Sequence, residues 1–179
     1  MKKIIFLFGF IVIGAAISHA SPKDMIMSHT GSPEFERLKT LAGHWIGQAK
    51  ELNGTTNPAT VDYKVTSGGS AVVETLGAGT PHEMTSVYFE EKGKLKMTHY
   101  CMLGNRPALA LKSASTEKLE FDFDKSSFIN PEKEMHMHAL NLLTPKPGEL
   151  IQEWNCFQDG KSNGVTVFTL KKIGSSQPA

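Results

Sequence analysis

The chain has 179 residues, 40% hydrophobic and 21% charged, with 19 basic against 18 acidic side chains. So balanced a charge, without a basic stripe interleaved with aromatics, excludes an electrostatic nucleic-acid binder. Two cysteines, Cys101 and Cys156, allow at most one intramolecular bridge.

The first segment, 1–20, begins Met1-Lys2-Lys3, runs apolar from Ile4 to Ile17 and closes on Ser18-His19-Ala20 ahead of Ser21. A basic start, a short apolar run and small residues before the cut are the pattern of a secretory signal peptide. The run is shorter than the roughly 20 residues a bilayer span requires, so no stable membrane anchor is expected after cleavage. Cleavage after Ala20 leaves 179 − 20 = 159 residues, enough for one domain, with 17 basic and 18 acidic side chains once Lys2 and Lys3 are gone. The mature protein is therefore expected in an exported setting, periplasmic or secreted, where thiols tend to pair.

Residues 21–33 have no periodicity and read as a flexible leader. Ser32 as N-cap, Pro33 at the first helical position, acids in the first turn and Phe35, Leu38 and Leu41 at helical spacing predict a short helix that stops by Gly43. Alternating runs follow, over 45–52, 61–66, 71–76, 84–90, 95–103, 109–113, 119–123, 135–143, 150–157 and 165–172. Asn53-Gly54, Gly68-Gly69, Lys92-Gly93, Gly104-Asn105 and Asp159-Gly160 punctuate them. In the clearest run, Leu119, Phe121 and Phe123 alternate with Glu120, Asp122 and Asp124, which demands a sheet with one wet face. Short links make sequential strands antiparallel neighbours, and closure buries the apolar faces and removes sticky edges. The predicted class is all-β: an antiparallel meander barrel of about 8–10 strands with a short N-terminal helix, over 34–173, before a flexible tail at 174–179. An open sandwich is the alternative.

Within the run 95–103, a period of two places Leu95, Met97, His99, Cys101 and Leu103 on one face and Tyr100 on the other. An imidazole on an apolar face must lose water and find a partner, such as Glu74, Tyr88 or Glu153, or else serve a ligand. His136 and His138 share a second face, and if it also turned inward they could converge with His99 and Cys101 on a zinc- or copper-type ligand set. The opposite register would bury Met135 and Met137 instead. Arg106, in the turn Gly104-Asn105-Arg106-Pro107, is a candidate for gripping an anionic group at a barrel mouth. Trp45 and Trp154 are expected as barrel packing, with Trp154 the candidate for stacking on a ligand.

Gly43-His44-Trp45 after the helix resembles the opening of calycin, or lipocalin-like, barrels, in which a Gly-x-Trp on the first strand packs across the barrel floor. The string Ser67-Gly68-Gly69-Ser70-Ala71-Val72-Val73-Glu74-Thr75-Leu76, with Pro81-His82-Glu83-Met84, Thr98-His99-Tyr100-Cys101, Gly104-Asn105-Arg106-Pro107, His136-Met137-His138, Glu153-Trp154 and Asp159-Gly160-Lys161, resembles a family of bacterial barrel proteins of unknown function. That likeness spans nearly all of the mature chain and implies a fold but no activity. A looser similarity is to nitrobindin-like haem-binding barrels, which hold iron through a histidine near the C-terminus; this chain has no histidine after His138.

No nucleophile elbow, phosphate-binding glycine loop or dinucleotide fingerprint occurs, and no cofactor follows from the residues. The sequence thus favours a calycin-like barrel binding a small, mainly apolar ligand through His99, Tyr100, Arg106, His138 and Trp154. Its alternative is a metal-dependent or acid-base enzyme using His99 and His138, with Cys101 and His136 as further metal candidates. A filled barrel acting only through its surface is the third possibility.

Overall fold

The computed structural model describes residues 28–174. The expected signal peptide and most of the leader and tail lie outside them. One short helix precedes ten strands: α1 (Pro33–Lys39), β1 (Gly43–Lys50), β2 (Thr56–Thr66), β3 (Ala71–Leu76), β4 (Met84–Glu91), β5 (Lys94–Tyr100), β6 (Ala108–Ala114), β7 (Lys118–Phe123), β8 (His136–Leu143), β9 (Glu149–Gln158) and β10 (Lys161–Lys172). Every strand pairs antiparallel with its sequence neighbour, and β1 pairs with β10 to close the barrel. This is the all-β meander that the alternation predicts.

The helix begins where expected. Ser32 Oγ accepts the Phe35 N–H at 3.2 Å, Pro33 opens the first turn, and Phe35 and Leu38 are buried. Leu41 follows the last turn into the core, and its carbonyl accepts Trp45 Nε1–H at 2.8 Å. Lys172, paired with Trp45 across β1 and β10, lies 5.4 Å over the Trp45 ring and donates to the Thr40 carbonyl at 3.0 Å. These contacts tie helix and first strand together at one end, the floor. The leader residues just ahead of the helix are held too: His29 N–H donates to Gly68 O at 2.9 Å and Ser32 N–H to Glu90 Oε1 at 3.0 Å. Order therefore begins before Pro33, because the backbone donors ahead of the helix find acceptors on the barrel.

Two glycine requirements are specific. Asp159 and Gly160 both have positive φ, 51° and 71°, the type I′ geometry that joins β9 to β10 without splaying them. At Gly47 a Cβ would stand 1.9 Å from the Thr169 carbonyl oxygen, so β1 and β10 approach as closely as they do only because the side chain is absent.

The inner faces carry the core: Val61, Val72, Met97, Leu109, Phe121 and Leu140 are all fully or almost fully buried. Their alternation with half-exposed neighbours is the period-two signal of the sequence in physical form. β5 ends at Tyr100, and the chain turns at Cys101, whose carbonyl accepts Gly104 N–H at 3.0 Å. Leu103 therefore leaves the inner face on which the sequence pattern places it, and it is exposed.

Candidate functional site

The β-ladder registers bring a run of polar side chains onto the inner face. Tyr63 stands opposite Glu74, Glu74 opposite Ser86, and Ser86 opposite His99, across β2, β3, β4 and β5. From the far wall, β9 contributes Gln152 and Trp154, which alternate with outward residues. Apart from Tyr63 at 3% and Trp154 at 2%, each of these side chains is at most 1% exposed.

Most of this belt is satisfied internally. Gln152 donates both amide hydrogens, to Tyr63 Oη and to Glu74 Oε1, each at 2.7 Å, while its Oε1 accepts Trp154 Nε1–H at 3.0 Å. Tyr88 Oη donates to Glu74 Oε2 at 2.5 Å. Burial pushes the Glu74 carboxyl above the ordinary range, and hydrogen bonds from Tyr88 and Gln152 offset part of that rise. Burial and the neighbouring Glu74 charge push the Tyr63 and Tyr88 phenols well up, so both stay protonated donors.

His99 is the exception. Its Nδ1 lies 3.0 Å from Ser86 Oγ, and its ring meets Trp154 with centroids 4.7 Å apart at 41°. Its Nε2 is buried and has no hydrogen-bond partner. Burial lowers its pKa to about 4, so near neutral pH the ring is uncharged and presents one unengaged nitrogen inside the barrel. A native buried polar atom left alone calls for an explanation, and an unfilled ligand contact is one.

The remaining candidates lie elsewhere. Tyr100 is 50% exposed on the outer face of β5, and Arg106 is exposed in the loop after it. Asn105 ties that loop to the neighbouring one by donating to the Met135 carbonyl at 2.8 Å. On β8 the inward register falls to Met137, which stands opposite inward-facing Cys156. A bulge between Met137 and Ala139 displaces His138 from the ladder. The His138 ring stacks on outward-facing Phe157 at 3.7 Å, and its Nε2 lies 3.8 Å from Asp122 on the outer wall.

His136 is fully buried beside it, with Nδ1–H donating to the Glu134 carbonyl at 2.7 Å; its Nε2 then accepts His138 Nδ1–H at 2.9 Å. Burial, and then His136, lower the His138 pKa. His138 therefore lines an outer cleft of about 390 Å³ with Asp122, Lys125, Glu132 and Phe157, and His136 lies buried behind it. The inward convergence of His99, His136 and His138 is corrected: the wall stands between them. Among the described residues, no three His, Cys, Asp or Glu side chains stand close enough together to hold a metal ion. Both cysteines are free thiols, Cys156 buried and Cys101 half-buried.

Ser86 and Gln152 escape the sequence reading although Gln152 carries the same signal as His99, a polar residue on an apolar strand face between Leu150 and Trp154. Of the partners expected for His99, Glu74 lies one residue further along the belt, Tyr88 binds Glu74, and Glu153 faces outward and accepts from Asn141 at 2.9 Å. No protein-family model matches the chain, and no curated protein matches it.

Proposed function

We propose that this is an exported, calycin-like barrel that binds a small, mainly apolar molecule through its inner face, with Trp154 as the stacking wall and His99 Nε2 as the polar contact. The observation that carries this reading is the unpartnered, fully buried Nε2. A mostly apolar ligand site gains specificity from a few such fixed polar groups. The floor is covered by α1 and Trp45, whereas Met84, Cys101 and Met137 near the opposite end are only half-buried, so that end is the entrance. Tyr100 and Arg106 sit at the rim beside it, where they meet a guest during entry.

The test is mass spectrometry of organic extracts from protein isolated from the compartment it is exported to, alongside the His99→Phe variant. A guest present in stoichiometric amount, and lost from the variant, supports the proposal. Native protein free of any guest, with Trp154 fluorescence unmoved by a panel of small apolar compounds, overturns it and leaves a filled barrel that acts through its surface.

A further inference from the structure

The hydrogen-bond chain through His136 and His138 ends on a lone pair at the outer cleft. The Glu134 carbonyl can only accept, which places the hydrogen of His136 on Nδ1; His136 Nε2 then takes the hydrogen of His138 Nδ1. Burial disfavours the imidazolium, so the neutral His138 ring presents Nε2 as an acceptor. The Phe123 and Phe157 rings lie within 6° and 13° of parallel to it and hold that orientation. Asp122 Oδ1 stands 3.8 Å from this nitrogen. Two acceptors cannot bond to each other, but at this separation one donor nitrogen stands within hydrogen-bond reach of both. Lys112 holds the other carboxylate oxygen, Oδ2, at 2.9 Å, and Oδ1 accepts the Phe123 N–H at 3.2 Å with a lone pair to spare. Glu132 brings a second carboxylate to the cleft by lying over Gly160, where a Cβ would stand 2.5 Å from its Oε2.

We propose that the outer cleft binds a small primary amine in its ammonium form, carried on an apolar body. A primary ammonium has three N–H donors, and the cleft offers three acceptors: His138 Nε2, Asp122 Oδ1 and the Glu132 carboxylate. Phe157 and Pro131 line the rest with apolar surface, and about 390 Å³ suits a molecule of one ring and a short chain. An anion would meet a lone pair and two carboxylates against the exposed Lys125. An alcohol brings a single donor to a place where two acceptors face each other. The guest proposed for the inner face plays no part.

The experiment is isothermal titration calorimetry of the full-length mature protein near neutral pH with phenethylammonium chloride, with phenethyl alcohol and Nα-acetyl-lysine amide as controls. The expected result is saturable binding of one amine per chain, with the alcohol and the lysine derivative each bound at least about 10-fold more weakly. His138→Phe and Asp122→Asn each weaken the amine about 10- to 100-fold, the loss expected for a hydrogen bond to a charged group. Asp122 is half-exposed, so its variant keeps the fold even where His138→Phe strands the buried His136 Nε2. Lys125→Ala, which removes a competing cation, binds the amine at least as tightly as the native protein. Absence of saturable binding overturns the proposal and leaves the space between His138 and Asp122 to water. So does undiminished binding in Asp122→Asn, or weaker binding in Lys125→Ala, which makes the cleft an anion site. An alcohol that matches the amine removes the charge from recognition, and a lysine derivative that matches it assigns the cleft to a protein side chain; either result overturns the small-amine class. The isotherm reads the outer wall and the organic extraction the inner face, so either idea can fail alone.

Discussion

The neutral state of His99 makes the barrel acid-labile through one identifiable group. Its pKa falls from 6.5 to about 4 on folding because burial disfavours the imidazolium. The sign follows directly: below pH 6.5 the unfolded chain takes up a proton that the folded chain refuses, so the contribution is fully present above 6.5 and is lost as pH falls toward 4. The shift corresponds to about 3 kcal/mol at 1.36 kcal/mol per unit, a large part of a typical domain's stability.

The perturbation is His99→Gln, which keeps an amide donor for Ser86 and cannot titrate in this range. Urea unfolding of both proteins at about pH 7.5 and about pH 4 isolates the term as a difference of differences, because every other carboxyl and imidazole is common to both. The native protein should lose about 3 kcal/mol more than the variant over that interval. Equal losses would mean that the ring is solvated in the folded state and that the interior site is wrongly drawn.

Glu74 works in the opposite sense: its raised pKa makes the buried carboxyl most favourable in acid, with that contribution lost as pH rises through the raised value. Glu74→Gln should flatten this loss, seen as a smaller fall in melting temperature between acidic and neutral buffer. Gln152→Leu strands the Trp154 N–H, the Tyr63 oxygen and one Glu74 oxygen at once and should cost about 2–4 kcal/mol in urea unfolding. Gly47→Ala places a methyl on the Thr169 carbonyl and should cost more than about 3 kcal/mol, with hydrogen exchange rising along β1 and β10. Phe121→Ala removes the ring that meets Tyr88 edge-on at 5.7 Å and should cost about 3–5 kcal/mol by the same unfolding measurement.

Much of the architecture is legible in the residues because it is local. Ser32 and Pro33 start the helix, the alternation of Leu119, Phe121 and Phe123 with acids makes a half-wet strand, and Asp159-Gly160 makes a tight hairpin. Each depends on dihedral preference or on a period of two, which neighbours in sequence decide. The inward direction of His99 belongs to the same class, since its strand alternates cleanly. Leu103 departs from that pattern because the ladder stops at Tyr100, and His138 departs because a single bulge displaces it; neither event leaves a periodic trace.

The polar belt required tertiary structure. The Gln152 amide reaches Tyr63 across 89 residues of sequence, and only closure of β1 onto β10 brings those walls together. Local chemistry set the strands and, away from the bulge in β8 and the end of β5, the face each side chain takes. Closure of the barrel decided which of those faces meet, which polar atoms are satisfied and which nitrogen is left over, because hydrogen bonds between distant strands depend on a geometry that no short stretch of chain contains.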